Sequence, residues 1–159
     1  MRGIQPFFEW CQQTGVYAYI TGHEFAFPAL ELVHIFGLTL LLGSVLILSL
    51  RLMRLLLTAQ PVSDLANEMS HLLRWGLWLT LVSGVFLFIA TAIRNYGNTS
   101  FWVKMAMLVL ALVFHVAYFR RVVRRDDERA EGSRKLAGAM ALVLWFGVAV
   151  AGRSIGFFG

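Results

Sequence analysis

The chain is 159 residues long, 58% hydrophobic and 14% charged, with a formal net charge of +5. A chain of this length is expected to form one domain. Its single cysteine, Cys11, excludes an intrachain disulfide and a CxxC redox or zinc motif. The positive charge does not indicate nucleic-acid binding, because most basic residues lie near the segments that join apolar runs, as in multi-helix membrane proteins.

Four apolar runs decide the class of the protein. They cover residues 32–50, 75–93, 105–119 and 136–152. Each is close to the ~20 residues that an α-helix needs to cross ~30 Å of hydrocarbon. We therefore predict an all-α fold, a transmembrane four-helix bundle. The predicted boundaries are an N-terminal interfacial segment, 1–24, and a transmembrane domain, 25–159, with helices at about 27–54, 70–94, 101–123 and 134–156.

Residues 1–24 are polar and aromatic. Pro6 suits the first turn of a helix, and Phe7, Trp10 and Cys11 fall on one face at i, i+3, i+4 spacing. The pattern predicts a short amphipathic segment in the outer headgroup region, where aromatic rings are favoured. It contains no apolar core of the kind that a cleaved secretory signal has.

The basic residues divide unevenly between the two sides of the predicted bundle. Ten of the fourteen lie in the connections that follow the first and third helices. The other four are Arg2, Arg94, Lys104 and Arg153. The positive-inside rule makes the side with ten basic residues cytoplasmic, so both termini are predicted to lie outside.

Glu31 and His34 are neighbours on one face of the first helix, at i, i+3 spacing. At 1.5 Å per residue, His34 lies roughly 9–14 Å below the outer surface. A neutral imidazole is a strong metal donor. This position therefore favours metal ligation or direct cofactor contact, with a hydrogen bond to a neighbouring helix as the alternative.

His71 lies near the inner end of the second helix. Its neighbours are Arg74, Trp75 and Trp78, and about 180° separates it from the polar face that includes Thr80. These neighbours favour an interfacial position for His71. A contribution to an inner cofactor site is the alternative.

The third helix carries two ionisable side chains in an apolar run. Lys104 and His115 are eleven positions apart, which returns a helical side chain to within roughly 20° of its starting direction. Met107 lies on the same stripe. Ionisable groups at membrane depth are costly and usually face a bundle interior, a cavity or a cofactor. The stripe is therefore predicted to be the functional face of this helix.

Depth divides the candidate residues into two sites. Counted from the outer helix ends, His115 lies roughly 20 Å deep and His34 about half as deep, so one haem held by both would require a strongly tilted helix. We predict two sites. The outer site comprises Glu31, His34, Lys104, Met107 and Arg153. The inner site comprises His115 and His71. Basic residues near either site would neutralise haem propionates. In the purely structural alternative, Lys104 reaches the interface, Met107 packs and His115 bonds a carbonyl.

Three segments carry a recognisable pattern: ELVHIFGLTLLLGSVLILSLRL, FWVKMAMLVLALVFH and LWFGVAVAGR. Over about 25–157 they resemble a family of small, uncharacterised bacterial four-helix membrane proteins. More distantly, the arrangement resembles CopD-type copper-resistance proteins and HemJ-type protoporphyrinogen oxidases. The HemJ-like pattern pairs an intramembrane His and a distal Arg in helix one with a Lys and a downstream His in helix three. The matching positions here are His34, Arg51, Lys104 and His115, but the aromatic run that follows the first His of that pattern is missing.

This resemblance implies a multi-pass protein of the bacterial inner membrane that binds haem b. We expect it to transfer electrons or to oxidise a membrane-soluble substrate of the quinol or porphyrinogen type. Copper handling is an alternative, because the imidazole of His34 and the thioether of Met107 favour Cu(I). A non-catalytic accessory subunit of a larger membrane complex is another. The expected partners are the lipid bilayer, a quinone or porphyrin, a redox partner and a second copy of the chain, but no nucleic acid.

Overall fold

The computed structural model describes residues 4–59, 61–124 and 131–158. The fold is all-α, as predicted. The elements in chain order are α1 (Gln5–Gln12), α2 (Gly15–Gly22), α3 (Ala26–Leu52), α4 (Val62–Tyr96), α5 (Thr99–Phe114), a π-helical segment (His115–Phe119), α6 (Arg120–Arg124) and α7 (Glu131–Phe158).

Within the described ranges, four stretches are long and apolar enough to cross a membrane. They are Ala26–Leu52, Val62–Tyr96, Thr99–Val122 and Glu131–Gly156. The third combines α5, the π-helical segment and the start of α6. α4 begins at Val62 rather than near residue 70, because Val62 and Leu65 are buried in the core and Asp64 lies favourably in the first turn.

α1 closes one end of the bundle, which we call the aromatic end. The ring of Phe8 makes edge contacts with Phe88 of α4, at a centroid distance of 5.4 Å, and with Tyr96, at 5.2 Å. Phe88 stacks in turn on Phe101 of α5 at 5.6 Å. Cys11 is buried in the same cluster. The N-terminal segment is therefore packed onto α4 and α5 rather than separate from the bundle.

The opposite end, the basic end, is the end at which α3 ends and α7 begins. Two contacts join its elements. The carboxylate of Glu131 in α7 lies 3.7 Å from the guanidinium of Arg54, and also 2.8 Å from Lys135 of its own helix. The hydroxyls of Tyr118 and Ser133 are 2.7 Å apart and link the π-helical segment to α7. This is the end for which the positive-inside rule predicts a cytoplasmic location.

α3 packs against both α4 and α7, and α5 packs against α7. Glycines bring the backbones of α3 and α4 into contact. A Cβ at Gly76 would lie 2.5 Å from the amide nitrogen of Leu41, and a Cβ at Gly37 would lie 2.8 Å from the amide nitrogen of Thr80. Small residues permit such close approach in membrane bundles. The Gly37–Gly76 contact divides the bundle into two halves.

The half between this contact and the basic end is filled by an apolar core. Leu41 and Val45 of α3 are fully buried, as are Ala111 of α5 and Ala141 of α7. Trp145 of α7 belongs to the same cluster. The half toward the aromatic end contains the polar side chains described next.

Candidate cofactor site

His34 lies at the seam between α3 and α4, half-buried. Its Nδ1 is 2.9 Å from the hydroxyl oxygen of Ser83. A Cβ at the next residue, Gly84, would lie 3.2 Å from His34 Cε1. Gly84 therefore makes room for the imidazole ring, and Ser83 fixes its orientation.

Ser83 also decides which nitrogen of His34 carries the proton. The Ser83 hydroxyl donates to the carbonyl of Leu79 in its own helix, so its oxygen accepts the N–H of His34 Nδ1. A neutral imidazole carries one proton, so the lone pair of His34 resides on Nε2. A second-shell bond of this kind sets the tautomer and orientation of a ligating histidine. In this tautomer Nε2 is the nitrogen of His34 that could accept a hydrogen bond or bind a metal.

Lys104 of α5 supplies a positive charge to this site. Its side chain is half-buried. A Cβ at Gly152 of α7 would lie 3.4 Å from both Nζ and Cε of Lys104. The ammonium is therefore held inside the bundle by the space that Gly152 provides, where it can pair with a carboxylate or an oxyanion.

Met107 lies one turn beyond Lys104 and, like Lys104, faces a glycine of α7. A Cβ at Gly147 of α7 would collide with its terminal methyl group. His34, Lys104 and Met107 therefore each lie against a glycine of a facing helix. These three residues were predicted from the sequence, but Ser83 and the facing glycines were not. The only sequence signals for them were the polar face of helix two and the small residues of helix four.

The register between α3 and α7 gives the depth of Arg153. A Cβ at Gly138 would lie 2.7 Å from the carbonyl oxygen of Ser49, which places these two residues at one level. His34 lies fifteen positions before Ser49 and Arg153 fifteen after Gly138, on antiparallel helices. His34 and Arg153 are therefore level, next to the level of Gly152 and Lys104. Arg153 is exposed there, and so is Glu31, one turn nearer the aromatic end.

His115 lies deeper in the bundle. Its eleven-residue separation from Lys104 corresponds to about 16 Å along a helix axis. The imidazole is buried, stacks on Phe119 at a centroid distance of 5.3 Å and meets Trp145 edge-on at 6.1 Å. His34 and His115 therefore lie at separate levels.

His71 does not share the buried face of His115, and Arg51 does not share the level of His34. His71 is exposed on α4, where its Nδ1 is 3.3 Å from Arg74 Nη2, whereas His115 is buried. Arg51 is buried near the end of α3, about 25 Å along the helix from His34. Across the residues that the structure describes, no three His, Cys, Asp or Glu side chains cluster as a metal site.

Four long apolar helices that enclose a histidine and a lysine define a multi-pass membrane protein of the four-helix-bundle class. The chain belongs to a family of unknown function, DUF6644, whose model matches residues 7–158. The matched range includes most of α1, so the helix that closes the aromatic end belongs to the region that the family model covers. No curated protein and no solved structure matches the chain.

Proposed function

We propose that the protein is a b-type haem protein of the membrane that transfers electrons or oxidises a membrane-soluble substrate of the quinol or porphyrinogen type. The observation that carries the proposal is the His34–Ser83 hydrogen bond, because it leaves the lone pair of His34 on Nε2. A porphyrin supplies four nitrogen donors to its iron, so the protein needs to add only an axial ligand such as histidine.

The surroundings of His34 suit the rest of a haem. Lys104 offers a positive charge to a propionate at about the level of the imidazole, and Arg153 lies level with both. Gly84 and Gly152 add no side chains to the facing helices at this level. Bound haem would supply one-electron chemistry through its iron.

The resemblance to HemJ-type proteins supports the same function. Two of its matching positions, His34 and Lys104, lie at nearly the same level of the bundle, because Lys104 faces Gly152 and the neighbouring Arg153 is level with His34. A third, His115, lies deeper on the helix that carries Lys104. The proposed cofactor contacts are therefore centred on His34 and Lys104, and His115 in the packed core is not one of them.

A groove of about 460 Å³ opens beside the His34 seam and supports a membrane-soluble substrate. Its lining is almost entirely apolar and comes from Gly15, Val16, Tyr19 and Ile20 of α2, Ala26 and Leu30 of α3, and Phe86 of α4. Leu30 is one turn before His34, and Phe86 is one turn after Ser83. A lipid-soluble molecule in this groove would lie about one helical turn from His34.

Absorption spectra of the purified protein test the proposal. Protein from haem-replete cells should show a Soret band in the oxidised and reduced states, and His34→Ala should lose it. His23→Ala is the matched control, because His23 is exposed and bonds the Tyr19 carbonyl at the surface of α2.

The other outcomes separate the alternative functions. A colourless preparation with stoichiometric copper would indicate copper handling. A colourless, metal-free protein that copurifies with a stable membrane complex would indicate an accessory subunit. Either result would refute the haem proposal.

The topology belongs to the same proposal: the basic end faces the cytoplasm of a bacterium, and the His34 site lies in the outer half of the inner membrane. Single-cysteine accessibility tests it. In intact cells, a membrane-impermeant maleimide should label Gln13→Cys at the aromatic end and spare Lys135→Cys at the basic end. Native Cys11 is buried, so wild-type protein supplies the background. The reverse labelling pattern would show that the basic end faces outward.

A further inference from the structure

His115 and Trp145 form a polar pair inside the apolar core. His115 is 7% exposed and Trp145 is 2% exposed. Their rings meet edge-on, with centroids 6.1 Å apart and planes at 82°. His115 Nδ1 and Trp145 Nε1 are both buried, and neither has a hydrogen-bond partner among the described residues. Two unpaired nitrogens on adjoining side chains are unusual, because buried polar groups are almost always bonded.

The backbone is also irregular at this point. The π-helical segment begins at His115, in the middle of an otherwise α-helical span. Segments of this kind are rare and often occur at functional sites. The irregular backbone and the unpaired nitrogens therefore coincide at one residue, although they are independent observations.

The chemistry of the pair defines what can bind there. An indole N–H only donates, so the ligand must accept a hydrogen bond from Trp145. A neutral His115 either donates or accepts at Nδ1, depending on its tautomer. The ligand must also be neutral, since a charge is costly at this depth. It must be small, because Ala111 and Ala141, one turn before the two residues, are fully packed.

We propose that one water molecule bridges His115 Nδ1 and Trp145 Nε1. With ring centroids 6.1 Å apart, the two nitrogens can lie within about 5.8 Å of each other, the greatest separation that one oxygen atom at about 2.9 Å from each can bridge. Buried waters typically satisfy polar groups that lack a protein partner. The bridge goes beyond the haem proposal and is independent of it. It places a molecule that accepts and donates protons in the inner half of the bundle, about 16 Å from the level of Lys104.

Solid-state NMR of the protein in lipid bilayers tests the bridge. The probe is protein labelled with ¹⁵N at the tryptophan indoles, with magnetisation transferred from water protons. The Trp145 signal is the one lost in Trp145→Phe. In the wild type we expect this buried indole to receive magnetisation from water and to show the ¹⁵N shift of a hydrogen-bonded N–H.

Two variants complete the test. His115→Phe keeps a ring against Phe119 but removes both nitrogens, so water transfer to Trp145 should fall several-fold. His23→Phe alters an exposed histidine at the surface of α2 and should leave the transfer unchanged. A wild-type indole without water transfer would overturn the bridge, and so would transfer that persists in full in His115→Phe. If His115→Phe does not fold, the wild-type transfer and shift alone decide.

Discussion

The two halves of the bundle, on either side of the Gly37–Gly76 contact, differ in how they fill their interior. Toward the aromatic end, His34 and Lys104 lie against glycines of facing helices. Toward the basic end, side chains such as Leu41 and Val45 are packed to zero exposure. Helices in a membrane associate largely through van der Waals packing, so the basic-end half carries more of the stability. Between the aromatic cluster around Phe8 and the Gly37–Gly76 contact, the other half holds polar side chains beside glycines, and this is where we propose the cofactor.

The comparison implies that stability and cofactor binding can be separated by mutation. Substitutions in the apolar core should lower stability and leave the spectrum of the folded protein unchanged. Substitutions around His34 should change the spectrum or the haem affinity at little cost in stability. The four predictions below are ordered from the largest expected effect to the smallest.

Leu41→Ala should destabilise the protein by about 2–5 kcal/mol, because it leaves a cavity in a packed core. The Soret band of the folded fraction should not shift. Thermal unfolding in detergent, followed by circular dichroism and by absorption, measures both effects. Leu32→Ala, on the exposed side of the same helix, is the control and should change stability by less than about 0.5 kcal/mol. A stable Leu41→Ala protein that has lost its haem would extend the cofactor site into the basic-end half.

Gly76→Ala should cost roughly 1–3 kcal/mol, because the new methyl group would meet backbone atoms of α3 that cannot move aside. Gly76 lies on the boundary between the halves, so haem binding should weaken as well. The same unfolding experiment reports both. Gly43→Ala adds a methyl group with nothing within 4 Å and should be neutral or stabilising. Equal stability and equal haem binding of Gly76→Ala and Gly43→Ala would show that the α3–α4 contact is looser than described.

Ser83→Ala should lower haem affinity roughly 10- to 100-fold, since it removes the group that orients the imidazole of His34. The stability of the haem-free protein should change little. Haem titration into the apoprotein measures the affinity. Ser44→Ala removes another buried serine that bonds the carbonyl four residues back, and should bind haem like the wild type. An unchanged affinity in Ser83→Ala would mean that Ser83 does not prepare His34.

Gly152→Ala should have the smallest effect. Its methyl group would lie 3.4 Å from the flexible end of Lys104, which can shift to make space. We expect a change in the midpoint potential of the haem, because a charge near the site moves, with affinity within about twofold of the wild type. Spectroelectrochemistry measures the potential, and Gly156→Ala, with nothing within 4 Å, is the control. A loss of binding as large as that expected for Ser83→Ala would make Gly152 part of the haem pocket itself.

Much of the candidate site followed from periodicity and depth. Lys104 and Met107 share a stripe because helical geometry repeats. Lys104 lies in the half where His34 was expected, whereas Met107 packs against the apolar core. Ser83 could not be identified as the partner of His34, because that pairing depends on the register between α3 and α4. The register is in turn set by contacts of Gly37 and Gly76 that are local to the folded bundle.

The sequence by itself determined the class of the fold and its four spans. A bilayer leaves backbone groups no partner except within a helix, so apolar runs of sufficient length can be identified as helices without knowledge of their neighbours. The tertiary structure decided which side chains meet. It packed α1 onto α4, placed the π-helical segment at His115 and turned His71 outward. These features depend on contacts between residues far apart in the chain, which local hydropathy and spacing do not contain.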